Sequence, residues 1–148
     1  MVPEQIEREI VIAAPVERVW AMLTEAEHIQ QWFAFDGATI DLRPGGALVL
    51  RWKEHGTYHA RIEQIDPPRL FSYRWARLAD EQPGPDNSTL VEFTLTPEGN
   101  GARLRVVESG FNTLDLPEAE QAEWAAGNVE GWSGGFATLK EYAEQRAA

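Results

Sequence analysis

The stretch PEAEQAEWAAGNVEGWSGGFATLKEYAEQRAA, residues 117–148, decides the fold. Ala125, Val129, Trp132, Phe136, Leu139 and Ala143 recur at spacings of four, three, four, three and four, which places them on one face of a long helix. Pro117 suits a first helical position, and Glu118, Glu120 and Glu123 complement the positive end of the helix dipole. Asn128, Gly131, Gly134 and Gly135 interrupt this helix in its middle, where each glycine costs about 1 kcal/mol relative to alanine. That cost predicts close approach of the helix to a sheet, a ligand or a second chain. Its apolar face then serves either as a cavity wall or as a tight seam against a sheet.

What the helix covers is written upstream. Residues 6–12 read as a first strand. Pro15 then opens a short helix with Val16, Val19, Trp20 and Leu23 on its buried side. Thr24 and Glu27 match a capping box that restarts the chain as a second short helix carrying Ile29, Trp32 and Phe33 inward. From 36 to 110 the pattern switches to period two, broken by Pro44-Gly45-Gly46, His55-Gly56, Asp66-Pro67-Pro68 and residues 97–101. Loops this short predict an antiparallel meander. Leu48, Leu50 and Trp52 alternate with Val49, Arg51 and Lys53; Tyr58, Ala60 and Ile62 with His59, Arg61 and Glu63; Phe71, Tyr73 and Trp75 with Ser72 and Arg74; and Val91, Phe93 and Leu95 with Glu92 and Thr94. Residues 77–88 form the longest irregular segment, either a mobile flap or a plain long hairpin. The expected fold is α+β: a curved antiparallel sheet of six or seven strands, two short helices after the first strand, and one long C-terminal helix as its single cover.

Composition narrows the function. The chain has 148 residues, 43% of them hydrophobic, which suits a single domain over 1–148. With 24 acidic against 13 basic residues the net charge is -11, and the basic residues are scattered, so nucleic acid and anionic membranes are not expected partners. The absence of cysteine removes disulfides, thiolate metal sites and cysteine nucleophiles. The N-terminus has no signal-peptide core, and no run reaches the ~20 apolar residues of a membrane span. The expectation is a soluble, cytoplasmic protein. His28, His55 and His59 do not form a convergent trio, so neither a metal nor a cofactor is expected, and the histidines are expected to face solvent.

The chemistry concentrates in aromatics and one acid. Trp52, Tyr58, Tyr73, Trp75, Phe93, Trp132 and Phe136 fall on inward faces and either fill the space under the helix or line it. Glu108 is the sharpest polar signal, because Leu104 and Val106 alternate with Arg103 and Arg105 and the same parity sends Glu108 inward. A buried carboxylate needs a partner, and Asn128 and Tyr73 are its candidate pocket neighbours. Phe111 and Trp124 complete the candidate ligand-binding set, with no catalytic residue assigned.

The phrases Ala14-Pro15-Val16-Glu17-Arg18-Val19-Trp20 with Leu23-Thr24, residues 28–32, Arg43-Pro44-Gly45-Gly46, Ile65-Asp66-Pro67-Pro68-Arg69-Leu70, Glu108-Ser109-Gly110-Phe111 and Gly131-Trp132 occur in this order along nearly the whole chain. Together they resemble the SRPBCC, or START-like helix-grip, superfamily, in its branch named after the activator of heat-shock protein 90 ATPase. The resemblance implies an apolar cavity between sheet and helix that takes a small hydrophobic molecule, aromatic or lipid-like. Two alternatives stand beside it: an enzyme of cyclase or aromatase type with Glu108 as acid or base, and a protein-interaction or stress-response module whose cavity is filled. A second copy of the chain is a candidate partner.

Overall fold

In the computed structural model, which describes residues 2–147, the period-two stretches become strands β1 (Gln5–Ile12), β2 (Ala38–Ile40), β3 (Ala47–Trp52), β4 (Gly56–Asp66), β5 (Leu70–Ala76), β6 (Ser88–Glu98) and β7 (Gly101–Ser109). Helices α1 (Val16–Thr24) and α2 (Ala26–Trp32) follow β1, and α3 (Glu118–Ala147) comes last. All seven strands pair antiparallel in the order β1-β7-β6-β5-β4-β3-β2. Strands β2 to β7 are therefore a meander, and β1 completes its far edge. This is the expected α+β helix-grip architecture.

Parity sets the two faces of the sheet. Ala102, Leu104, Val106 and Glu108 of β7 are buried, while Arg103 and Arg105 between them pair with Glu9 and Glu7 of β1 on the other face. Such exposed pairs are worth a fraction of about 1 kcal/mol. Register is held instead by the inward set, since a one-residue slip would expose all of it. A bulge in β4 between Ile62 and Gln64, where the Gln64 N–H donates to Ser72 Oγ at 3.1 Å, bends the sheet around the helices.

Two expectations about helix starts are corrected. The capping box does not form, because the Thr24 hydroxyl donates back to the Trp20 carbonyl at 2.8 Å and Glu25 occupies the cap of α2 without a side-chain bond. Pro117 lies one residue before α3, where its carbonyl accepts from the Glu120 and Gln121 amides at 2.9 and 3.0 Å.

The stripe on α3 is as expected: Ala125, Trp132, Phe136, Leu139 and Ala143 are buried and Val129 is half-buried. The glycines are not. A Cβ at Gly127, Gly131 or Gly134 would meet nothing within 4 Å, and one at Gly135 would sit 3.6 Å from the Trp32 ring. Only Gly135 lies against the body of the protein, so Gly135→Leu is expected to lower stability by about 1–3 kcal/mol through overpacking against Trp32. Gly134→Leu should not, and urea midpoints of the two variants check the difference.

The far half of α3 is fastened by polar contacts. Glu144 accepts from the Ala13 amide at 2.9 Å and from Lys140 at 2.5 Å, and these bonds, Lys140 first, hold its carboxyl below the ordinary 4.5. His28, expected in solvent, is half-buried and hydrogen-bonded to the Tyr142 hydroxyl at 2.6 Å. Among the described residues no helix is long and apolar enough to cross a membrane.

Candidate ligand pocket

Glu108 is fully buried, at 0% exposure, within a cross-sheet row of Ile6, Val91, Tyr73 and Ile62. Its oxygens are saturated by donors. Oε1 accepts from Trp132 Nε1 at 2.8 Å and Asn128 Nδ2 at 3.0 Å. Oε2 accepts from Trp75 Nε1 at 2.9 Å, Thr89 Oγ1 at 2.5 Å and Asn128 Nδ2 at 3.0 Å. The register explains the convergence, because Trp75 and Thr89 face each other across β5 and β6 diagonal to Glu108, while Asn128 and Trp132 are one helical turn apart on α3. Among the described residues no lysine or arginine reaches Glu108; neutral donors alone satisfy it.

Tyr73, expected as a pocket neighbour of Glu108, lies in the same cross-sheet row, where the Glu108 charge acts on its phenol. Burial, and then the Glu108 carboxylate, hold its phenol well above the ordinary 10.0. Above pH ~10 the unfolded chain loses this proton and the folded chain keeps it, so stability falls with rising pH. Tyr73→Phe is expected to make the alkaline decline in urea midpoint shallower, a comparison made between pH 9 and 11.

The aromatic side chains divide into a packed interior and an open end. Phe33, just past α2, is the hub: it stacks on Trp132 at 5.4 Å and on Trp75 at 6.0 Å between centroids, and meets Trp52 edge-on at 5.0 Å. The Trp52 indole N–H donates to the Phe33 carbonyl at 2.7 Å, tying the end of α2 to the end of β3. Inward of this hub, among Leu50, Phe71, Tyr73 and Phe93, a void of only about 10 Å³ remains, too small and apolar for water. Outward of it, Phe33, Trp52, Tyr58, Trp75 and Trp124 surround a pocket of about 460 Å³, with His55, Arg77, Glu123 and Asn128 as its polar groups. The first half of α3 leaves this space open because Gly127 and Gly131 line it.

Of the expected ligand-binding set, Trp52, Tyr58, Trp75, Trp124 and Asn128 come together at this pocket. Glu108 and Trp132 lie behind its wall, bonded to each other. Tyr73, Phe93, Phe111 and Phe136 do not line it: each is at most 3% exposed because ring-on-ring or core packing surrounds it. Phe33, Arg77 and His55 at the pocket, and Thr89 at Glu108, lie outside the expected set. Thr89 was within reach by extending the alternation of Val91, Phe93 and Leu95 two residues back; Phe33 and Arg77 lie just outside regular elements, where parity says nothing.

The carboxylate decides the polarity of the wall. It only accepts, so the Asn128 NH2 group must face it, leaving the Asn128 carbonyl oxygen as the acceptor for anything in the pocket. The Trp75 N–H is likewise committed, so Trp75 offers its ring. The loop 77–87 is pinned on both sides, by the Asp80 amide to the Thr57 carbonyl and the Asp115 amide to the Asp86 carbonyl, each at 2.8 Å. Gly56 permits this: at φ +108° it has no Cβ, which would lie 2.9 Å from that of Ala79. Glu25, Glu27 and His28 bring ligand atoms within 4.8 Å of one another, but both carboxylates are exposed and His28 Nδ1 is engaged by Tyr142.

A family model described as Activator of Hsp90 ATPase homolog 1-like protein matches residues 13–144. No curated protein matches the chain. Among solved structures, protein MLL2253 from Mesorhizobium loti is 26% identical with a TM-score of 0.77, over 93% of this chain and 94% of that one. DynU16, a protein in the dynemicin biosynthetic locus, is 20% identical with a TM-score of 0.77 over 98% of this chain and 49% of its own. The Aha1 dimer from Colwellia psychrerythraea is 19% identical with a TM-score of 0.72, over 95% of this chain and 96% of that one. The latter two likenesses are of fold alone.

Proposed function

This chain belongs to the Activator of Hsp90 ATPase homolog 1-like family, and from that premise we propose that it binds a small aromatic molecule in the pocket between the open end of the sheet and the first half of α3. The observation that carries the reading is the set of five aromatic side chains around a space of about 460 Å³, within the roughly 300–1,000 Å³ usual for ligand sites. Phe33, Trp52 and Trp75 are fixed by stacking and by indole hydrogen bonds before any ligand arrives, which lowers the ordering cost of binding. Asn128 supplies an acceptor for a hydroxyl or amine on the ring.

Glu108 has no exposed surface and five hydrogen bonds, which supports a positioning role through Asn128 and Trp75 over acid or base chemistry. The filled interior favours a second reading, a protein-interaction module, and the dimeric Colwellia relative supports a second copy as the partner. Native mass spectrometry of freshly purified protein and calorimetric titration with 2-naphthol test the first reading. We expect saturable one-to-one binding of the naphthol. Bare protein mass together with no naphthol binding by folded protein would overturn it, and a dimer in light scattering would then favour the second.

A further inference from the structure

We propose that the ligand is an aromatic acid, its anionic group held by Arg77; this rests on the pocket reading above. Arg77 immediately follows β5 and its amide donates to the Asn87 carbonyl at 2.8 Å, which sets the side chain at the pocket's edge. Its guanidinium lies over the Trp124 ring, 5.2 Å from the centroid. Stacking of this kind holds the planar fork in place while leaving its N–H groups free to donate.

The guanidinium has no acidic partner: among the described residues no carboxylate lies within 4.0 Å of it. Arg8 and Arg51 also lack one, but both are exposed, whereas Arg77 is half-buried. Arg43, Arg61, Arg69, Arg74, Arg103 and Arg105 all have carboxylates within that distance. Arg77 is half-buried inside an aromatic pocket, so its five donors point to a carboxylate, sulfonate or phosphate carried on a flat ring. Glu123, the acidic group of the lining, is exposed.

Two dyes with the same ring system separate the possibilities: 1-anilinonaphthalene-8-sulfonate and the uncharged N-phenyl-1-naphthylamine, titrated by fluorescence into the wild type and Arg77→Gln. Both are expected to bind the wild type one-to-one. Arg77→Gln should weaken the sulfonate dye about tenfold or more and the neutral dye less than about twofold. Arg77→Met, which keeps the stem over Trp124, carries the same comparison if the glutamine variant does not fold. Equal loss for both dyes, or no loss for the sulfonate, overturns the proposal. Binding of neither dye by the wild type overturns the pocket reading itself.

Discussion

Glu108→Leu is expected to lower the unfolding free energy by about 4 kcal/mol or more, because it strands several buried donors at once at about 1–3 kcal/mol each. Two indole N–H groups, the Thr89 hydroxyl and the Asn128 amide converge on that one side chain, and among the described residues no buried side-chain polar atom lacks a partner. Leucine offers none of them an acceptor. Glu108→Gln is the milder case. Trp132 donates to one carboxylate oxygen and Trp75 to the other, so either orientation of the new amide sets its NH2 group against an indole N–H, which can only donate. A loss of about 1–3 kcal/mol follows for one unsatisfied donor. Urea denaturation of the three proteins measures both values. A glutamine variant with the wild-type midpoint would show that the donors regroup around an amide, and the network would then not fix Asn128.

Gly131→Trp is expected to abolish 2-naphthol binding while leaving the urea midpoint unchanged or raised. Stability and binding separate here because a Cβ at Gly131 meets nothing within 4 Å while the residue lines the pocket, so the indole enters the space the ligand needs. The helix also loses a glycine that costs it about 1 kcal/mol relative to alanine. Calorimetric titration and urea denaturation on the same preparation check the pair. A midpoint lowered as far as that of a core overpacking variant would place Gly131 in a tight seam and close the pocket reading.

Much of this molecule was legible before its coordinates. The 3.6-residue spacing from Ala125 to Ala143 and the two-residue spacing of β3 to β7 are properties of the chain alone, since a helix or strand that buries one face must repeat apolar residues at its own period. The same alternation carried Glu108 inward, and the turn signals made the meander. Local signals misled where a competing acceptor stood within the same helix. Thr24 matched a capping box in sequence, yet the Trp20 carbonyl one turn earlier took its hydroxyl.

What the sequence by itself determined is the order of elements, the hand of each face and the burial of one carboxylate, because these follow from periodicity and from the cost of exposing apolar surface or slipping register. Only the tertiary structure decided which aromatics fill the grip and which surround a pocket. Phe93 and Trp75 both point inward, but Phe93 is covered by Trp132 and Phe136, whereas beside Trp75 the helix presents Gly127 and Gly131. Parity names a face; whether that face is filled depends on the volume standing opposite, which belongs to another element of the chain.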